Sequence, residues 1–142
     1  MRYMFLVYSR ERDFAEASAQ DRERIKAGHW AVMDESRRKG VFIAGEPLQP
    51  TATATTIRKE DGRPLVLDGP FAETKELIGG YAILQFTSMV EAIEWTRRFV
   101  KVDAPGRLGR ESECELRPIF EFEDFSPSEA IDRFRALGVK TK

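Results

Sequence analysis

A histidine at position 29 and an aspartate at position 68 together have the chemistry of a proton-transfer pair. His29 is the only histidine among 142 residues, and an imidazole with an ordinary pKa near 6.5 is the natural proton carrier at neutral pH. Asp68 stands directly before Gly69-Pro70. Glycine is conformationally permissive and proline lacks a backbone donor, so a strand ending here turns and leaves the carboxylate at its tip. If Asp68 accepts from His29, the carboxylate fixes the imidazole tautomer and the pair becomes a general base for proton abstraction or hydrolysis. Each residue also has a plainer role open to it. His29 falls on a helical apolar stripe with Ile25, Val32 and Met33, where a lone histidine is more often packed than catalytic. Asp68 can instead hydrogen-bond its own turn.

The residues after the turn, Phe71-Ala72-Glu73-Thr74-Lys75-Glu76 and then Gly79-Gly80-Tyr81, suit a small ligand. Lys75 can reach from a loop to an anionic group, and Phe71 and Tyr81 can wall a cleft for an aromatic or anionic molecule. Glu73 reads as a solvated loop residue. The double glycine permits a bulge or a close backbone approach. There is no G-x-S-x-G elbow, HExxH pair, Walker loop, dinucleotide fingerprint or cluster of metal ligands, so no cofactor or metal is expected. Cys114, on the apolar side of a late strand, reads as an inert packed thiol.

Twenty-three basic and 24 acidic residues leave a formal charge of -1, which offers no electrostatic basis for binding nucleic acid or an anionic membrane. No apolar run approaches the roughly 20 residues that span a bilayer, and no basic, apolar leader opens the chain, so a cytoplasmic protein is expected. One cysteine excludes an internal disulfide. The length suits one core.

These side chains need elements to position them. Arg2 to Ser9 sets Tyr3, Phe5 and Val7 against Met4, Leu6 and Tyr8, large apolar groups on both faces, which predicts a central strand covered on both sides. Ser18 with Asp21 opens a helix that Gly40 closes. Val41 to Ala44 predicts a short strand that Gly45-Glu46-Pro47 breaks. Thr51 to Arg58 and Pro64 to Leu67, separated by Asp61-Gly62, predict a hairpin with the threonine run as its edge strand. Gly80 to Phe86 predicts a strand, Ser88 with Glu91 opens a second helix, and Cys114, Leu116 and Pro118 alternate with polar residues in a last strand. Trp30 and Trp95 read as helix-to-sheet packing. Ser126-Pro127-Ser128-Glu129 starts a terminal helix with Phe134 and Leu137 as its anchors. The order is βαβ, hairpin, βαβ, an α+β antiparallel sheet with both helices on one face. The other face needs a cover, which predicts a homodimer through sheet-to-sheet contact.

The run from Asp68 to Glu76 with Gly79-Gly80-Tyr81 resembles the signature of the DGPF branch of the YCII-related family, and the resemblance extends from Met1 to about Phe125. It implies a ferredoxin-like, dimeric α/β-barrel domain over residues 1–125 and a helical extension over 126–142. Arg22, His29, Trp30 and the ending Gly40-Val41-Phe42-Ile43-Ala44-Gly45-Glu46-Pro47 resemble the YCII helix in which a histidine occurs in a proposed His-Asp pair. Two functions follow as expectations, beside the plainer one of a structural dimer with no small-molecule pocket. One is a small-molecule pocket near the turn with His29 and Asp68 as catalytic residues and Phe71, Lys75 and Tyr81 as binding residues. A dehalogenating enzyme of aromatic degradation, muconolactone isomerases and small monooxygenases are relatives in family or fold. The other is a non-catalytic regulatory module, because genes of this family often neighbour or fuse to extracytoplasmic-function sigma factors.

Overall fold

The computed structural model describes residues 1–69, 77–102 and 113–138. Strand β1 (Arg2–Ser9) leads through a short helix α1 (Glu11–Glu16) to the long helix α2 (Ala19–Arg38) and strand β2 (Phe42–Pro47). Strands β3 (Thr55–Glu60) and β4 (Arg63–Asp68) follow, then β5 (Leu77–Gln85), α3 (Met89–Val102), β6 (Glu113–Pro118) and α4 (Glu129–Ala136). The main sheet runs β2-β5-β1-β6 and its paired strands are antiparallel, while β3 and β4 form a separate two-stranded ladder. This is the ferredoxin-like arrangement, with the hairpin inserted between the two βαβ halves.

The central position of β1 follows from its side chains. Tyr3 and Phe5 are buried together with Ala82, Leu84 and Phe86 from and beyond β5, Val32 of α2, and Ala92, Trp95 and Phe99 of α3. Both long helices therefore cover the same sheet face. The aromatics interlock, with Phe5 edge-on to Phe99 at 5.6 Å, and Phe86 against Trp95 at 5.9 Å. Such pairs add about 0.5–1.5 kcal/mol each beyond the burial of their area.

Local signals account for the helix ends. The Ser18 side chain accepts from the Asp21 backbone at 3.0 Å, which satisfies one of the unpaired first-turn donors of α2. At α3 the Ser88 hydroxyl accepts from the Glu91 backbone at 3.2 Å, while the Glu91 carboxylate reaches back to Thr87. The terminal helix is capped by Ser128 rather than Ser126, and Pro127 precedes the cap.

Several expectations need correction. Strand β2 continues through Gly45-Glu46-Pro47 instead of ending there. A Cβ at Gly45 would lie 2.9 Å from the Tyr81 carbonyl, so glycine lets β2 approach β5 rather than breaking the ladder. Thr51–Thr53 is a 3-10 turn, and the edge strand starts at Thr55. The Glu11 carboxylate accepts from the Thr51 backbone at 2.6 Å and ties that turn to α1, a helix that no periodicity announced. Trp95 is packed as expected, but Trp30 is 68% exposed. Phe134 and Leu137 are also exposed, so they do not anchor α4.

The α2–α3 seam is close. A Cβ on Gly28 would fall 2.6 Å from Val102 Cγ1. Ala outranks Gly in a helix by about 1 kcal/mol, but overpacking beside a stiff β-branched side chain costs about 1–3 kcal/mol. Gly28→Ala is expected to lower the urea midpoint and Val102→Ala to restore it; a stabilised Gly28→Ala would show that the seam yields.

The Glu35 carboxylate bridges the same helices, accepting from Arg98 of α3 and from Lys39. Both cations also lie over the Trp95 ring, at 4.5 and 5.5 Å. The hydrogen bond from Arg98, followed by that from Lys39, holds the Glu35 pKa down to about 2. A depressed folded-state pKa contributes stability that is full above the ordinary carboxylate pKa and fades as pH falls toward the folded value. The melting-temperature gap between the native protein and Glu35→Gln should thus be widest above about pH 5 and close toward about pH 2. A gap independent of pH would contradict the bridge.

Candidate functional site

The two central strands carry a second apolar surface opposite the helices. In register, Met4 faces Ile83 and Leu6 faces Tyr81, and all four side chains are only half-buried. Period-two alternation places them on the face that α2 and α3 leave open. The rims of this face are polar. Beside Tyr81 on β2 stands Glu46, and beside Leu6 and Met4 on β6 stand Glu115 and Arg117. The Tyr8 hydroxyl donates to the Glu115 carboxylate at 2.9 Å, and Arg117 donates to the same carboxylate. Donation to Glu115 raises the Tyr8 pKa, and the bonds from Tyr8 and then Arg117 lower that of Glu115.

Tyr81 therefore belongs to the open sheet face. The bulge expected at the double glycine is present, because the register slips at Val7/Tyr8 and passes over Gly79. Asp68 ends β4 opposite Thr55 and is exposed. The backbone beside it is pinned: the Gly69 backbone, at φ 92°, donates to the Ala54 carbonyl at 2.8 Å, and the Thr56 hydroxyl donates to the Gly69 carbonyl at 2.7 Å. Among the described residues the Asp68 carboxylate accepts no hydrogen bond.

His29 lies in the helix layer, half-buried, its ring 6.3 Å from that of Phe99 and tilted by 37°. It thus packs along the α2–α3 seam, while Asp68 sits on the separate ladder. Phe71, Glu73 and Lys75 lie outside the described residues.

Sequence reasoning missed the Tyr8–Glu115–Arg117 network. Tyr8 was read only as an apolar member of the first strand. The signal was nonetheless present, because alternation in two antiparallel neighbours puts Tyr8 and Glu115 on one face. A hollow of about 390 Å³ is lined by Glu129, Ala130, Arg133, Phe134 and Leu137. All five belong to α4 or its end, and none is a residue singled out for chemistry.

Cys114 packs against the core, and burial pushes its thiol pKa up to about 11. Thiolate is then scarce at neutral pH. A chromogenic disulfide reagent should modify the native protein far more slowly at pH 7.5 than the urea-unfolded chain. Equal rates would contradict the packed thiol.

Comparison with known proteins gives a family. The chain is 34% identical over 97 residues to an uncharacterised protein of Rhizobium meliloti (strain 1021), covering 68% of this chain and 78% of that one. No helix among the described residues is long and apolar enough to cross a membrane. The YCII-related domain matches residues 1–123, and with the ferredoxin-like sheet already established the chain belongs to the YCII-related family.

Proposed function

We propose that this protein is a homodimer, its second copy laid over the open sheet face, and that it binds a small aromatic or anionic molecule beside the Asp68–Gly69 turn. Asp68 is the group for acid–base chemistry in this reading, with Phe71, Lys75 and Tyr81 as contacts of the ligand, while His29 stays in the helix layer beside Phe99. The observation that carries it is the Asp68 carboxylate, exposed and without a hydrogen bond among the described residues on a turn pinned by its neighbours. An exposed charged group on a strand end whose backbone is pinned is available to a ligand. The half-buried stripe of Met4, Leu6, Tyr81 and Ile83 supports the dimer, since a sheet with two apolar faces is stable when both are covered.

A second reading is a non-catalytic module linked to extracytoplasmic-function sigma factors. It is favoured by the exposed Phe120, Phe125, Phe134 and Leu137 toward the end of the chain, a surface of the kind that partner proteins cover.

Titration of the labelled protein with a panel of benzoates, phenols and small carboxylates, followed by NMR, separates the two. The pocket reading predicts saturable shifts at the Asp68 and Tyr81 amides, with binding of the phenols, which can donate to the carboxylate, weakened at least about tenfold by Asp68→Asn, a loss of about 1.4 kcal/mol. Absence of saturable shifts across the panel, or shifts that Asp68→Asn leaves unchanged, would contradict it.

A further inference from the structure

The Thr51–Thr53 turn at the root of the β3–β4 hairpin begins without a cap of its own. The residue before it is Pro50, which makes no side-chain hydrogen bond to the turn, so the first amide needs an acceptor from elsewhere. Glu11 supplies one from 40 residues away. One oxygen of its carboxylate accepts from the Thr51 backbone at 2.6 Å and the other from the Thr51 hydroxyl at 3.1 Å. Hydrogen bonds to a carboxylate are stronger than those between neutral groups, and two of them fix an orientation as well as a distance.

What this carboxylate holds leads on to Asp68. The Thr51 carbonyl accepts from the Ala54 backbone at 2.9 Å, the Ala54 carbonyl accepts from Gly69 at 2.8 Å, and the Thr56 hydroxyl donates to the Gly69 carbonyl at 2.7 Å. Asp68 precedes Gly69 and pairs with Thr55. On its other side Glu11 stands in the first turn of α1, two residues after Ser9, which ends β1 opposite Leu77. Hydrogen bonds thus run from the end of the central strand through Glu11, Thr51 and Ala54 to the Asp68–Gly69 turn. The hairpin has need of such a tie. A two-stranded hairpin is marginal in water unless it packs on something, and the extensive contacts of β3 and β4 are with each other. The bond from the Leu48 backbone to the Gly79 carbonyl, at 2.8 Å, closes the β2–β5 edge just before the root.

We propose that Glu11 is a positioning residue for Asp68: by holding both donors of Thr51 it sets the angle at which the β3–β4 hairpin leaves the main sheet, and so where Asp68 stands relative to Tyr81. The ligand's share in this rests on the small-molecule reading above, whereas the tie rests on the hydrogen bonds alone. Its requirement is geometric. Glu11→Gln keeps an oxygen to accept from the Thr51 amide and turns its own amide to the Thr51 hydroxyl, which accepts as readily as it donates. Glu11→Ala leaves both Thr51 donors unheld. Because Glu11 is exposed, neither change disturbs the core.

Residual dipolar couplings of the β3–β4 amides, read against those of β1 and β5, test the tie. In the native protein and in Glu11→Gln both sets should fit one common alignment. In Glu11→Ala the sheet couplings should stay native while the hairpin couplings leave the common fit, a change that a merely local loss of stability in the turn would not produce. Hairpin couplings that stay native in Glu11→Ala, or that are lost equally in Glu11→Gln, overturn the proposal. Titration of the same three proteins with the phenols reads the consequence for the site: binding should weaken at least about tenfold in Glu11→Ala and return in Glu11→Gln. A displaced hairpin with native phenol affinity overturns the part of Glu11 in the site. Native protein that binds no phenol overturns the pocket reading instead, and the couplings then decide the tie by themselves.

Discussion

A strand with large side chains on both faces imposes a condition that the whole fold must meet. In β1, Tyr3 and Phe5 point to one side and Met4, Leu6 and Tyr8 to the other. Flanked by β5 and β6, such a strand satisfies its backbone, but its side chains need two covers. The helices α2 and α3 supply the first, through Val32, Ala92, Trp95 and Phe99. The need for a second cover makes the open face, rather than any single polar residue, the surface on which an account of function turns.

The covered side is tightly specified. Gly28 brings α2 close to Val102, and the Glu35 carboxylate with Arg98 and Lys39 locks the helices around Trp95. His29 belongs to this seam through its contact with Phe99. A histidine so placed belongs to the helix layer, which sets it apart from Asp68 at the end of the hairpin. The two residues thus stand in different layers of the fold.

Much of this was legible in the residues because the decisive signals are local. Alternation in Arg2–Ser9, the Ser18 and Ser88 caps, and Asp61-Gly62 between two β-type runs each specify their element through short-range sterics and hydrogen bonding. What was misread depends on tertiary neighbours. Gly45 looks like a breaker until the Tyr81 carbonyl is seen beside it. Trp30, Phe134 and Leu137 look like core until the fold leaves their sides uncovered. The site was less legible than the fold: Asp68 could be placed at a strand end, but that Thr56 and Ala54 pin Gly69 beside it depends on cross-strand register.

The central claim is that a second copy covers the face bearing Met4, Leu6, Tyr81 and Ile83. Light scattering on a size-exclusion column at micromolar concentration, applied to the native protein and to Ile83→Glu, tests it directly. The account predicts a native mass of twice the 16.3 kDa chain and a shift toward the single-chain mass in the folded variant. A native protein that elutes at the single-chain mass, or a folded Ile83→Glu that stays fully dimeric, would contradict it.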